Sequence, residues 1–122
     1  MTTTESTITI QTVVDEYFAM WNAEDRAERL EHAAKAWVAD CHYVDPLSDV
    51  RGYDGLADMV EGVRGQYPGA SLRRTSDIDA HHNVARFAWE AAAADGTTIV
   101  AGIDVVVLAD DGRLQALAGF FG

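Results

Sequence analysis

The sequence predicts one α+β domain in which a curved, mostly antiparallel sheet wraps around N-terminal helices and forms a cone. Two observations predict this fold. The first half of the chain carries apolar residues at helical spacing, whereas everything from Ser71 onward alternates like strands joined by tight turns. A length of 122 residues suits a single domain. We therefore expect residues 8–122 to form the domain and residues 1–7, rich in Thr and Ser, to be a flexible tail.

Composition excludes several classes of function. Twenty acidic and nine basic residues give a net charge of −11, which disfavours binding to nucleic acid or to anionic membranes. A single cysteine, Cys41, rules out a disulfide within the chain. The N-terminus does not resemble a signal peptide, and the longest apolar run is too short to cross a bilayer. We expect a cytoplasmic protein.

Three helices are predicted in the first half. The first begins near Ile10 and ends near Asn22–Glu24. Asp25 and Glu28 fit a capping box that opens the second helix, and the third follows Gly52 and ends at Tyr67-Pro68-Gly69. The expected apolar stripes are Ile10, Val13, Val14, Tyr17, Phe18 and Trp21 in the first helix, and Leu30, Ala33, Ala34, Trp37 and Val38 in the second.

Strands account for most of the remainder. Asp95-Gly96 and Asp111-Gly112 predict two hairpin turns, and a long strand that is apolar on both faces lies between them, so this strand should be central in the sheet. The expected strands are Cys41–Pro46, Ser71–Asp79, Val84–Ala93, Thr97–Leu108 and Arg113–Phe121, with a bend at His81-His82-Asn83.

Asp104 is the most informative residue of the sequence. It is the only ionisable residue between Thr97 and Ala109, and strand alternation places it on the same face as Val100 and Val106. A buried carboxylate without partners costs several kcal/mol, so Asp104 must find a donor or stay protonated. It is therefore either a structural acid or a pocket acid with a raised pKa.

Asp45 and Tyr17 are the next candidates. Asp45 ends a strand before Pro46, where it is either a turn residue or a functional loop residue. Tyr17 lies on an apolar helix stripe, where tyrosine is usually a core residue. In an extended segment His81 and His82 would point to opposite faces, and no histidine spacing suits a metal, so we expect no metal site.

Together these residues resemble the nuclear-transport-factor-2-like superfamily, in its SnoaL-like and ketosteroid-isomerase-like branch. The resemblance rests on residues 13–25, 43–55 and 99–114, with Gly119-Phe120-Phe121 at the end. It implies the cystatin-like α+β barrel of that superfamily. This superfamily includes isomerases, cyclases, hydrolases and non-catalytic binders, so the resemblance predicts a fold more sharply than a function.

Similarity to ketosteroid isomerase implies roles for three residues. Asp45 would be the general base, and Tyr17 and Asp104 would donate hydrogen bonds to the substrate oxygen. No metal or organic cofactor would be needed. We expect the substrate to contact Trp21, Phe87, Trp89, Val60 and Phe120. Gly102 stands where related epoxide hydrolases carry an arginine, which argues against epoxide opening.

The leading hypothesis is an isomerase or cyclase that moves a proton next to the carbonyl of a hydrophobic, polyketide-like or steroid-like ligand. Two alternatives remain open: a non-catalytic binding module for a small apolar ligand, and a dimeric protein-interaction domain. A homodimer through the open sheet face is expected, with Arg86 and Glu90 on that face.

Overall fold

The computed structural model describes residues 9–122, and the predicted tail, residues 1–7, lies outside them. Three helices precede or interrupt a seven-stranded curved sheet, as the sequence predicts. The elements are α1 (Ile10–Asn22), α2 (Arg26–Ala36), β1 (Trp37–Asp45), β2 (Ser48–Arg51), α3 (Gly52–Gln66), β3 (Ser71–Arg74), β4 (Asp79–His81), β5 (Val84–Ala92), β6 (Thr98–Leu108) and β7 (Leu114–Phe121). Within residues 9–122, no helix has the length and apolar character needed to cross a membrane.

Side-chain caps begin the first two helices. The Thr9 hydroxyl accepts a hydrogen bond from the backbone N–H of Thr12, and the Asp25 carboxylate accepts one from that of Glu28. The apolar stripe predicted for α1 is buried, apart from the partly exposed Ile10 at its start. This stripe packs α1 against the inner face of the sheet, where Tyr17 and Phe18 contact Phe87 of β5.

The second helix is shorter than predicted. It ends at Ala36, and Trp37 and Val38, which the helical stripe included, begin β1 instead. The backbone of Trp37 pairs with Leu114 of β7. The Arg113 guanidinium also donates hydrogen bonds to the carbonyls of Ala34 and Trp37 (2.9 and 3.2 Å). A contact distant in sequence therefore stops the helix, which local periodicity could not indicate.

Sheet order is β2-β1-β7-β6-β5-β3, and β4 also pairs with β5. The central position predicted for β6 is confirmed, and every pair is antiparallel except that of β1 with β7. Both predicted hairpin turns form, with Gly96 and Gly112 in the left-handed region at φ 91° and 92°. The parallel contact places the end of β1 beside the end of β7.

Apart from the start of β1 at Trp37 instead of Cys41, the strands differ from the prediction in two places. Ser48–Arg51 adds β2, which folds back on β1 after Pro46. The predicted strand over Ser71–Asp79 is divided into β3 and β4, because the Ser76 hydroxyl replaces a ladder carbonyl and accepts a hydrogen bond from the N–H of Ala88 (2.8 Å).

Candidate active site

Tyr17 and Asp104 meet at the inner face of the sheet. The buried α1 stripe carries Tyr17 toward β6, and its hydroxyl donates a 2.9 Å hydrogen bond to Oδ2 of Asp104. Both side chains are almost inaccessible, with exposures of 1 % and 2 %. Asp104 therefore has one strong partner and is not neutralised by a cation, since no Arg, Lys or His of residues 9–122 lines the cavity at this point.

Asp45 approaches Asp104 across Gly119. The register of β1, β7 and β6 places these three residues side by side. A Cβ atom on Gly119 would lie 3.0 Å from Oδ1 of Asp104 and 3.3 Å from Cβ of Asp45. A larger residue there would displace the Asp104 carboxyl, so glycine lets the two acids share one space.

Tyr43 is a site residue that the sequence analysis missed. Its hydroxyl donates a 2.6 Å hydrogen bond to Oδ2 of Asp45, and the backbone N–H of Leu47 donates to Oδ1 at 2.8 Å. Tyr43 stands two residues before Asp45, and residues two apart in a strand share a face. This two-residue spacing is the feature of the sequence from which Tyr43 could have been predicted as a site residue.

The three predicted catalytic residues open into one cavity of about 240 Å³. Trp21 and Trp89 line it, as predicted, and so does Tyr43. The exposed apolar residues Leu47, Tyr67 and Phe121 lie at its mouth. The remaining apolar wall consists of Val63, Leu72, Ala91, Ile99 and Val100.

Three other residues expected to contact substrate do not line this cavity. Val60 and Phe87 are buried in the core, where Phe87 packs against Tyr17 and Phe18. Phe120 pairs with Ile103 and lies on the outer face of the sheet, 57 % exposed. Its neighbour Phe121 lines the cavity instead, because successive strand residues point to opposite faces.

Burial dominates the electrostatics of the site. Burial, assisted by the nearby Asp45 carboxylate, raises the pKa of Asp104 to about 7, against the opposing effects of the Tyr17 hydroxyl and the Trp89 indole N–H. Burial, followed by the charge of Asp104, raises the pKa of Tyr17 well above its ordinary value. Burial likewise raises the pKa of Tyr43, so both phenols stay protonated at neutral pH.

His81 and His82 lie side by side at the turn before β5. His81 and His82 do not point apart, because His82 turns at φ 51° and the two Nδ1 atoms lie 3.1 Å apart. A third ligand is missing: within the part of the chain that the structure describes, no group of three or more His, Cys, Asp or Glu could hold a metal ion.

A buried acid that titrates near neutrality, a phenol beside it and a second carboxylate within the same apolar cavity form a constellation suited to moving a proton. Asp104 can donate when protonated, Tyr17 can donate at neutral pH, and Asp45 can accept.

Solved structures with the same architecture include a candidate isomerase of the SnoaL-like family from Agrobacterium tumefaciens. It is 36 % identical to this chain, with 92 % of this chain and 96 % of that chain covered and a TM-score of 0.86. A candidate polyketide cyclase from Sinorhizobium meliloti is 12 % identical, with 92 % and 99 % covered and a TM-score of 0.70. An NTF2-like protein of unknown function from Exiguobacterium is 19 % identical, with 90 % and 98 % covered and a TM-score of 0.67.

No family model and no curated protein matches the sequence. The two more distant similarities show the fold alone: helices packed against one curved sheet. The identity and coverage of the Agrobacterium match go further: this chain belongs to the SnoaL-like family.

Proposed function

We propose that this SnoaL-like protein is a cofactor-independent isomerase or cyclase that moves a proton next to the carbonyl group of a small hydrophobic compound. Asp45 is the general base in this proposal, and Tyr17 and Asp104 donate hydrogen bonds to the carbonyl oxygen. The resemblance to ketosteroid isomerase supports these roles, and so does the description of the Agrobacterium relative as a candidate isomerase.

One observation carries the proposal: two carboxyl groups flank Gly119 in different environments. Asp104 is 2 % exposed and its pKa is raised to about 7, whereas Asp45 is only half-buried and accepts hydrogen bonds from a phenol and a backbone N–H. Two nearby acids with different surroundings divide readily into one proton donor and one proton acceptor.

The proposed reaction begins when a carbonyl oxygen enters between Tyr17 and protonated Asp104. Asp45 removes a proton from the α-carbon, and the electron pair moves onto the oxygen as an enolate. Each hydrogen-bond donor aimed at this developing charge in a dry site contributes about 3 to 4 kcal/mol. Asp45 then returns the proton to the γ-carbon, which shifts the double bond and regenerates the carboxylate.

The size of the cavity favours small substrates. A volume of about 240 Å³ lies below the range of about 300 to 1,000 Å³ that is typical of ligand pockets. We therefore expect one or two rings rather than the four rings of a steroid, with apolar parts of the substrate against Leu47, Tyr67 and Phe121 at the mouth.

Replacing the base tests the proposal. Cyclohex-3-enone and its alkyl and aryl derivatives are suitable substrates, because their isomerisation yields a conjugated enone that absorbs in the ultraviolet. Asp45→Asn should lower kcat/KM by at least about 100-fold, the usual effect of losing a positioned base. A loss of less than about threefold would remove Asp45 from the mechanism.

Asp49→Asn is the matched control. Asp49 is an exposed acid of β2 that contacts His42 and does not line the cavity, so its substitution should leave turnover unchanged. Binding of these enones without turnover by the wild-type protein would contradict the catalytic proposal and favour the ligand-binding module instead.

A further inference from the structure

Trp89 and Asp104 are neighbours on the inner face of the sheet. Trp89 of β5 pairs with Gly102 of β6, and Phe87 pairs with Asp104. The indole is therefore diagonal to the carboxyl, at a distance that a long aromatic side chain spans. Both side chains line the same cavity.

The absence of a side chain at Gly102 leaves room for the indole. A Cβ atom there would lie 2.8 Å from Cζ2 and 3.0 Å from Cε2 of Trp89, so the ring occupies the space above Gly102. Phe121 packs edge-on against the same indole, with ring centroids 6.1 Å apart. The ring position is thus defined by contacts on two sides, and Cε2 is the atom bonded to the indole nitrogen.

The indole N–H is a buried donor. Trp89 is 8 % exposed, and its Nε1 makes no hydrogen bond within residues 9–122. A buried donor without a partner is unfavourable, because it has lost its hydrogen bonds to water. Although it is outside hydrogen-bonding geometry, the same N–H interacts with Asp104, favours its charged form and lowers the pKa of that carboxyl.

In the structure, a different side chain donates a hydrogen bond to Asp104. Tyr17 from α1 occupies Oδ2, and Oδ1 lies beside Gly119 of β7. The titratable groups that face this carboxyl are Tyr17 from α1 and Asp45 and Tyr43 from β1. When the Tyr17 hydroxyl turns to a substrate oxygen, Asp104 loses its hydrogen-bond donor.

We propose that Trp89 is a positioning residue for Asp104: its indole N–H donates to the carboxyl when Tyr17 turns to the substrate, and the absence of a side chain at Gly102 leaves room for the indole. This inference rests on the proposed function, because it assigns Trp89 a part in the same reaction. Trp89 thereby holds Asp104 with its proton directed at the substrate oxygen.

An isosteric replacement tests the inference. β-(3-Benzothienyl)alanine at position 89 keeps the shape of the indole and replaces its N–H by sulfur. We expect the midpoint of the Asp104 titration, followed by ¹³C NMR of the labelled carboxyl, to move to higher pH. We also expect kcat for the enone isomerisation to fall about threefold to tenfold at unchanged KM, as for the loss of one hydrogen bond. An unchanged or lower midpoint would overturn the inference.

The same replacement at Trp37 is the control. Trp37 is a fully buried tryptophan whose N–H also lacks a partner within residues 9–122, but it does not line the cavity. Its replacement should leave the Asp104 midpoint in place. If the sulfur analogue fails to yield folded protein, β-(1-naphthyl)alanine at position 89 provides the same comparison.

The NMR measurement separates the two proposals. If the wild-type protein turns over no enone, the proposed function fails, yet the ligand-free titration still decides whether the Trp89 N–H acts on Asp104. If turnover is present and the midpoint does not move, the proposed function stands and the role of Trp89 is refuted.

Discussion

Asp104 is buried, as its aliphatic neighbours in the sequence suggest. Aliphatic residues on both sides along β6 place it in the interior, and burial rather than any one neighbour is the largest cause of its raised pKa. The Tyr17 hydroxyl only partly offsets this effect. Asp104 is therefore a poor structural anchor at neutral pH and a suitable proton donor.

The raised pKa of Asp104 predicts how stability depends on pH. The folded protein holds this proton up to about pH 7, whereas the unfolded chain loses it near the ordinary value of 3.8, so the contribution of Asp104 to stability falls as pH rises between these values. Asp104→Asn should remove this loss. Relative to wild type, its free energy of unfolding in urea should improve by about 2.5 kcal/mol between pH 5 and pH 8.

Asp110→Asn provides the comparison for this measurement, because Asp110 is exposed in the turn before β7. Its difference from wild type should be the same at both pH values. A constant difference for Asp104→Asn as well would mean that Asp104 is ionised throughout this range.

At the scale of elements, β6 and α3 each contain a glycine, and the surroundings of these two glycines differ. Gly102 is enclosed: a Cβ atom there would lie 2.0 Å from the carbonyl oxygen of Phe120 as well as against Trp89. Gly62 in α3 is exposed, with nothing within 4 Å of a Cβ atom. The strand glycine is required by packing, whereas the helix glycine only weakens its helix.

Two alanine substitutions test this contrast. Gly62→Ala should stabilise the protein by about 0.5 to 1 kcal/mol, since alanine loses less backbone entropy in a helix. Gly102→Ala should destabilise it by about 1 to 3 kcal/mol through overpacking between β6 and β7. Urea unfolding of both variants measures these changes. An unchanged free energy of unfolding for Gly102→Ala would show that β6 and β7 can separate without a loss of stability.

At the scale of the whole molecule, the outer face of the sheet exposes large apolar side chains. The charged side chains on this face form ion pairs with one another. The exposed large residues of this face are Ile103, Val105, Val107 and Phe120. Arg86, which we expected at a dimer contact, pairs with Asp79, and Glu90 pairs with Arg73. This face is locally neutral in a chain of net charge −11, so two copies could approach there with little repulsion.

We therefore predict a homodimer through this face. Light scattering should give about 26 kDa, twice the chain mass of 13.2 kDa. Val105→Asp should yield monomers, since it would bury an unpaired charge at the centre of the contact. Leu47→Asp, at the cavity mouth on the other side of the sheet, should remain dimeric. A wild-type mass near 13 kDa would refute this arrangement.

Local patterns were sufficient where a short stretch of chain determines its own conformation. The α1 stripe, the Asp25 cap and the turns at Gly96 and Gly112 follow from spacing and from glycine's access to positive φ. The isolation of Asp104 among aliphatic residues was also visible in the sequence.

Long-range pairing decided the rest. Trp37 continues a helical stripe, yet it is in a strand because β7 pairs with it and Arg113 caps the preceding helix. The parallel register of β1 and β7 brings Asp45 to Gly119, and the register of β5 and β6 sets Trp89 over Gly102. Thus the sequence by itself determined where the helices begin, the turns and the buried acid, because these depend on neighbouring residues. Only the tertiary structure decided which side chains meet around that acid, because strand register depends on residues far apart in the chain.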